Sequence, residues 1–156
     1  MQQGLQVDRW LEDLTAYRRL ALDTNLLIYA LNGVMPYQEL ARHLFALMER
    51  GLVMAIASTV VEAEVLVKPL RDRDMLALDR VVLFFRESPN LLIRDFDRSV
   101  ARRAAQIRAT SHLRLPDAMI VATALEERCD AIVGNDAAMA QQVRELPYLY
   151  MENYVW

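Results

Sequence analysis

Short apolar runs alternate with longer segments of helical period along this chain. Runs of strand length occupy residues 20–23, 52–57, 91–94 and 131–133, and a short last one lies at residues 148–151. The segments between them repeat their apolar residues at the spacing of an amphipathic helix. This alternation is typical of α/β domains, in which helices connect parallel strands. The pattern predicts a mostly parallel central sheet of about five strands flanked by helices.

Capping and helix-breaking residues mark the ends of the predicted helices. The helix after Asp23 is expected to stop at Gly33, and a later one at Gly51, because glycine readily adopts the left-handed conformation that follows many helices. Pro69 disfavours a helix that continues through it, so residues 68–72 are predicted to form a helix end and a turn. The helix that stops at Gly51 covers residues 37–50, and the other predicted helices cover residues 7–17, 60–67, 74–86, 98–109 and 116–128.

The size and composition of the chain fit one ordered domain. A chain of 156 residues is long enough to bury a full apolar core, and 54% of its residues are hydrophobic. The first strand begins near residue 20, so residues 1–18 are expected to form an N-terminal helical extension. Residues 19–156 are then expected to form the main domain.

The cysteine content, the N-terminal sequence and the net charge exclude or disfavour several classes of protein. Cys129 has no cysteine partner, which excludes an intrachain disulfide and a cysteine-based metal site. The N-terminus is acidic instead of cationic and apolar, and no apolar run is long enough to span a bilayer, so we expect a cytoplasmic protein that has no membrane partner. The net charge of −3 argues weakly against a wholly basic nucleic-acid surface, but it does not describe any one groove.

Two aspartates follow predicted strands directly. Asp23 comes after the first strand and Asp136 comes after the fourth. In an open parallel sheet, ligands bind beyond the carboxyl ends of the strands, so both positions suit a functional site. Each of these acids has an alternative explanation as a helix N-cap. Asp117, which follows Pro116, equally suits the first turn of a helix.

A fourth acid lies within a helical segment that is apolar nearly all round and is therefore expected to be buried. Residues 60–67 contain Glu62 and Glu64, which point about 200° apart on a helix and cannot face the same site. Thr59 and Glu62 fit a capping box, which gives Glu62 a structural role. Glu64 has no such role, and an unpaired buried carboxylate is costly. Glu64 is therefore the preferred site residue, and Glu62 remains the alternative.

Carboxylates gathered in one cleft repel one another unless they share a cation. Mg²⁺ or Mn²⁺ prefers oxygen ligands, and His43 and His112 lack the spacing of metal ligands. Such an ion can polarise a phosphodiester and lower the pKa of water. The acids therefore indicate a metal-dependent nuclease.

Four segments carry these acids in order along the chain. They are residues 22–29 (LDTNLLIY), 63–67 (AEVLV), 116–124 (PDAMIVATA) and 133–136 (VGND). Together they resemble the motifs of PIN-domain ribonucleases, especially the VapC-type toxins of toxin-antitoxin systems. The chain differs from those motifs at Gly134, where a Thr or Ser is common.

The resemblance implies an endoribonuclease that depends on Mg²⁺ or Mn²⁺ and hydrolyses RNA phosphodiester bonds. It implies that Asp23, Glu64, Asp117 and Asp136 are catalytic residues and hold the metal. Residues 19–156 would then be a PIN-like nuclease domain. A homodimer is expected, and a cognate antitoxin bound near the active site is the expected protein partner.

Two other functions fit parts of the sequence. A haloacid-dehalogenase-like phosphohydrolase also places an Asp after its first strand, but Asn25 stands where its second Asp is expected, and no lysine follows Lys68. The second alternative is a non-catalytic PIN-like module that binds RNA or a protein partner. Candidate RNA contacts are Arg71, Arg73, Arg98 and Arg114, and candidate interface residues are Phe45, Leu83, Phe84 and Phe85.

Overall fold

A computed structural model describes residues 4–156 and contains one sheet, in which all neighbouring strands are parallel. The strands are β1 (Arg19–Leu22), β2 (Met54–Ser58), β3 (Leu91–Arg94), β4 (Ala131–Gly134) and β5 (Tyr148–Tyr150). Their order across the sheet is β3-β2-β1-β4-β5. The predicted α/β fold with a parallel five-stranded sheet is confirmed.

Helices flank this sheet throughout the described part of the chain. They are α1 (Val7–Thr15), α2 (Thr24–Asn32), α3 (Tyr37–Glu49), α4 (Thr59–Asp72), α5 (Met75–Glu87), α6 (Arg98–Ala109), α7 (Leu115–Glu126) and α8 (Ala137–Gln142), with a 3-10 helix at Met151–Tyr154. Each predicted helix is present. The sequence-based prediction lacks α8, because its six residues are too few to show a helical period.

The predicted turn at residues 68–72 is wrong. Helix α4 continues through Pro69 and ends at Asp72, where Arg73 adopts the left-handed conformation with φ of 52°. Pro69 is buried and borders the same pocket as Val65 and Val81. We infer that burial of the proline ring against α5 offsets the backbone hydrogen bond that proline cannot make.

The strand order reverses at β1. From β1 the chain moves outward to β2 and β3, and it then returns to place β4 on the other side of β1. Such a reversal opens a crevice at the carboxyl ends of the two strands that flank it. Asp23 directly follows β1, and Asp136 is the second residue after β4. Both acids therefore lie beside this crevice.

The centre of the sheet is covered on both faces. Residues in β1, β2 and β4 are buried in succession and do not alternate with exposed ones. This is the pattern of a parallel sheet enclosed by helices. Helix α7 contacts β1, β2 and β4 and is buried along most of its length, which fixes its first turn beside the crevice. Within residues 4–156, each helix is too short or too polar to cross a membrane.

The N-terminal helix α1 is part of the core. Trp10 is fully buried, and its indole N–H donates to the carbonyl of Leu40 in α3 at 2.8 Å. Its ring also makes an edge contact with Tyr154. Leu5 forms an antiparallel bridge with Val155, which ties the N-terminal segment to the C-terminal one. The part of the predicted extension that precedes residue 4 lies outside the described residues.

Candidate active site

The four predicted acids border one pocket at the carboxyl edge of the sheet. Its volume is about 160 Å³. Asp23 and Asp136 come from the ends of β1 and β4, Asp117 comes from the first turn of α7, and Glu64 comes from α4. The fold thus gathers acids from four separate segments. The rest of the lining consists of Thr24, Asn25, Ile28 and Arg114.

Asp23 is held from two sides. Its side chain is only 4% exposed. Oδ1 accepts the Thr24 N–H at 2.8 Å, which caps α2, and Oδ2 accepts the hydroxyl hydrogen of Tyr148 at 2.9 Å. The carboxylate therefore has a fixed orientation at the end of β1.

Burial makes two of these acids harder to ionise. It raises the pKa of Asp23 from 3.8 to about 6, against the hydrogen bonds from Tyr148 and Thr24, and the charges of Asp117 and Asp136 add to the rise. Burial also raises the pKa of Asp117, while the hydrogen bond from Arg114 opposes that shift. A bound cation would favour the ionised form of both groups.

Asp136 caps a helix and borders the pocket as well. Its Oδ1 accepts the Met139 N–H at 3.0 Å at the start of α8. Helix capping is thus a correct explanation for both Asp23 and Asp136. It does not remove either acid from the pocket, because each cap occupies one carboxylate oxygen only.

Glu64, and not Glu62, borders the acidic pocket. Its Oε1 accepts the hydroxyl hydrogen of Thr24 at 2.7 Å, which joins α2 to α4. Glu62 borders a different pocket with Leu66 and Phe85. Of the two acids, only Glu64 is therefore placed to act together with Asp23.

Two expectations about α4 are wrong. Its N-cap is Ser58, whose Oγ accepts the Val60 N–H at 3.1 Å, so the predicted capping box that begins at Thr59 is not formed. Thr59 instead accepts the Phe96 N–H at 3.1 Å. The helix is also not buried all round, because Val67 is 48% exposed. Tertiary contacts on one side leave its outer face uncovered.

Arg114 is the one candidate RNA-binding arginine that borders the pocket. Its Nε lies 3.3 Å from Oδ2 of Asp117, while most of its side chain is exposed. The pocket lining does not include Arg71, Arg73 or Arg98. A guanidinium at the rim of an acidic pocket is placed to contact a phosphate that approaches it.

Sequence reasoning missed Tyr148. Its position in the last strand is predicted correctly, but nothing in the sequence indicates what its side chain contacts. That contact depends on β5 lying beside β4, with Tyr148 in register with Ile132. The pairing carries the hydroxyl to Asp23 and to the backbone N–H of Asp136, which donates to it at 3.0 Å.

The chemistry of the pocket suits a hard divalent cation. Its acidic donors are all carboxylates, and neither His43 nor His112 belongs to its lining. In residues 4–156, however, no three His, Cys, Asp or Glu side chains stand in a ready-made ligand arrangement.

A family model of the PIN domain matches residues 20–145. The chain belongs to the PIN domain family. The matched range contains all four acids of the pocket, whereas α1 and β5 lie outside it. The resemblance of the four motifs to this family is thus confirmed. Curated protein sequences include no significant match to the chain.

Solved structures with this PIN fold include toxin-antitoxin proteins. VapBC2 from Rickettsia felis, bound to a promoter DNA fragment, has a TM-score of 0.69 and 18% identity, covering 85% of this chain and 98% of that one. VapC20 from Mycobacterium tuberculosis, a sarcin-ricin loop cleaving toxin, has a TM-score of 0.63 and 15% identity, covering 82% of this chain and 99% of that one. A toxin-antitoxin complex from Klebsiella pneumoniae has a TM-score of 0.54 and 25% identity, covering 78% of this chain and 90% of that one. These likenesses support the fold.

Proposed function

We propose that this PIN domain is a metal-dependent endoribonuclease and the toxin of a toxin-antitoxin pair. The observation that carries the proposal is the convergence of four carboxylates on one pocket. Packing alone gives no reason for that convergence, since crowded carboxylates in a poorly solvated pocket oppose folding. The cost is offset when the acids share a cation, and a phosphodiester is the substrate class that such a site handles.

Asp23, Glu64, Asp117 and Asp136 would hold Mg²⁺ or Mn²⁺. When bound, the ion supplies Lewis acidity at a phosphodiester and makes water more acidic. The chain itself orients the ligands: Thr24 donates its backbone N–H to Asp23 and its hydroxyl hydrogen to Glu64. One residue of α2 therefore fixes two acids from different elements, which supports a preorganised site.

Arg114 is the proposed phosphate contact. In a background that binds but does not cleave, Glu64→Gln, the further change Arg114→Ala should weaken binding to all RNA sequences alike. It should also reduce the slope of log affinity against log salt concentration by roughly 0.7–1, as expected for one phosphate contact. Arg98→Ala is the matched control, because Arg98 is exposed but does not border the pocket. Equal effects of the two changes would contradict this role.

The proposed protein partners are a VapB-type antitoxin and a second copy of this chain. Toxin-antitoxin complexes among the structures of the same fold support the first. Of the apolar candidates for an interface, Phe45, Phe84 and Phe85 pack against the core, whereas Leu83 is 52% exposed. The protein is expected to act in the cytoplasm.

Cleavage of RNA by two paired variants tests the proposal. Wild-type protein should cut a mixed RNA pool with Mg²⁺ or Mn²⁺ and should stop in EDTA. Glu64→Gln should lower the rate by about 100-fold or more, because a ligand should matter at least as much as its outer-shell partners. Glu62→Gln removes the same charge from the same helix outside the pocket and should leave the rate within about twofold of wild type.

Three results would count against the nuclease proposal. Cleavage that persists in EDTA would show that the activity does not need a divalent ion. Equal losses from Glu62→Gln and Glu64→Gln would separate the activity from the pocket. RNA binding without any cleavage would favour the non-catalytic alternative. The phosphohydrolase alternative is set aside, since the chain belongs to the PIN domain family.

A further inference from the structure

Tyr148 connects two of the four acid-bearing segments through one oxygen atom. Its hydroxyl donates to Oδ2 of Asp23 at 2.9 Å and accepts the backbone N–H of Asp136 at 3.0 Å. The residue belongs to β5, which lies next to β4, and it follows Asp136 by twelve positions. A third element thus ties the end of β1 to the loop after β4.

The space for this hydroxyl exists because residue 134 is a glycine. A Cβ atom at Gly134 would lie 2.4 Å from the Tyr148 hydroxyl oxygen and 2.5 Å from the Asp23 Cβ. Both distances are far below a van der Waals contact. The hydroxyl therefore fills the position that a side chain at 134 would take, and Gly134 and Tyr148 act as a pair.

The two hydrogen bonds to Asp23 leave its carboxylate able to bind a cation. A carboxylate has about four lone-pair sites, and Thr24 and Tyr148 use one on each oxygen. A fixed carboxylate with a free site on each oxygen is preorganised for ligation. Partners that donate to ligating carboxylates orient them in metal sites.

We propose that Tyr148 is a positioning residue that holds Asp23 for metal binding. The inference rests on the proposed function and extends it to a residue outside the four acids and outside the family match. Tyr148 acts through Asp23 and through the backbone of Asp136. Without its hydroxyl, Asp23 would lose one of its two anchors and become free to leave the orientation in which it binds the ion.

Tyr148→Phe is the first test, with Tyr150→Phe as the matched control. Tyr150 lies on the same strand, and its hydroxyl has no side-chain hydrogen bond among the described residues. Calorimetry should show Mn²⁺ affinity about 10- to 100-fold weaker for Tyr148→Phe, the range expected for an outer-shell partner. Tyr150→Phe should bind within about twofold of wild type. Thermal unfolding in EDTA checks that each variant is folded.

The dependence of cleavage on metal concentration separates positioning from a general loss of structure. For Tyr148→Phe, the Mn²⁺ concentration that gives half-maximal cleavage should rise by the same factor as the dissociation constant. Saturating Mn²⁺ should restore most of the rate, because excess ion compensates for a poorly held ligand. A damaged fold would instead lower the saturated rate without moving the half-maximal concentration.

Gly134→Ala is a second, independent variant. It keeps the tyrosine but crowds its hydroxyl and the Asp23 side chain, and it should also weaken Mn²⁺ binding by about tenfold or more. If Tyr148→Phe does not fold, a Gly134→Ala variant that binds Mn²⁺ as tightly as wild type would overturn the inference. Wild-type protein that binds Mn²⁺ and cleaves RNA, with Tyr148→Phe binding equally well, would overturn the inference and leave the proposed function standing. Wild-type protein that neither binds nor cleaves would overturn both.

Discussion

Asp23→Asn should abolish metal-dependent RNA cleavage while making the metal-free protein more stable near neutral pH. The loss of cleavage should reach about 100-fold or more, as for Glu64, since asparagine is a neutral and weaker ligand. The local backbone should survive, because asparagine caps helices as well as aspartate does and can still accept the Thr24 N–H. Opposite effects on activity and stability would be the signature of a buried acid kept for a ligand.

The gain in stability follows from the sign of the pKa shift. The pKa of Asp23 is about 6 in the folded protein and 3.8 for an unperturbed aspartate. Between these values the unfolded chain loses its proton first, so the folded state binds more protons and the free energy of unfolding falls as pH rises. Above about pH 6 the folded protein bears the full free-energy cost of keeping Asp23 ionised while buried. The difference between the two pKa values corresponds to about 3 kcal/mol. Asparagine avoids that cost.

Denaturant unfolding in EDTA at about pH 8 and about pH 4.5 measures this effect. Asp23→Asn should be more stable than wild type by up to about 3 kcal/mol at the higher pH, and the difference should shrink at the lower pH. Added Mn²⁺ should stabilise wild type and not the variant. Asp74→Asn is the matched control, since Asp74 caps α5 at an exposed position. A variant less stable than wild type at about pH 8 would contradict the burial cost.

Trp10→Ala should destabilise the whole domain by about 3–5 kcal/mol, the range for the loss of a large buried aromatic side chain. Trp10 is fully enclosed and bonds to the Leu40 carbonyl, which would be left without that donor. Because α1 packs on α3 and on the 3-10 helix, its loss should be felt in one cooperative transition. The predicted extension then behaves as part of a single folding unit.

Chemical denaturation followed by circular dichroism tests this expectation. Glu12→Ala, on the exposed side of α1, should change the free energy of unfolding by no more than about 0.5 kcal/mol. A small loss for Trp10→Ala, or a separate early transition of α1, would show that residues 1–18 form an appendage. The measurement thus tests the predicted division of the chain at residue 18.

Most of the fold could be predicted from local patterns. Apolar runs and capping glycines give the strands, the parallel sheet and seven of its helices, because burial and helix termination act within a few residues. The turn expected at Pro69 is wrong because Pro69 is buried in α4, which packs on α5. Proline propensity describes an isolated helix, and here packing outweighs it.

Asp23, Asp117 and Asp136 could be named from sequence because each stands next to a strand or helix end, whereas Glu64 was named as an acid within an apolar helix. The choice between Glu62 and Glu64 rested on a capping box that does not form, yet Glu64 is the acid at the pocket. Helical geometry was sufficient to say that only one of them faces the site. It did not show which one, because that depends on how α4 is rotated against α2.

By itself, the sequence determined the order of strands and helices, the PIN motifs and the four acids that they carry. Only the tertiary structure decided that Thr24 reaches Glu64 and that the hydroxyl of Tyr148 reaches Asp23 across Gly134. The physical reason is the distance along the chain over which each kind of interaction acts. Periodicity and capping are set by neighbours a few residues apart, whereas these contacts join positions 40 and 125 residues apart and exist only once strands and helices have packed.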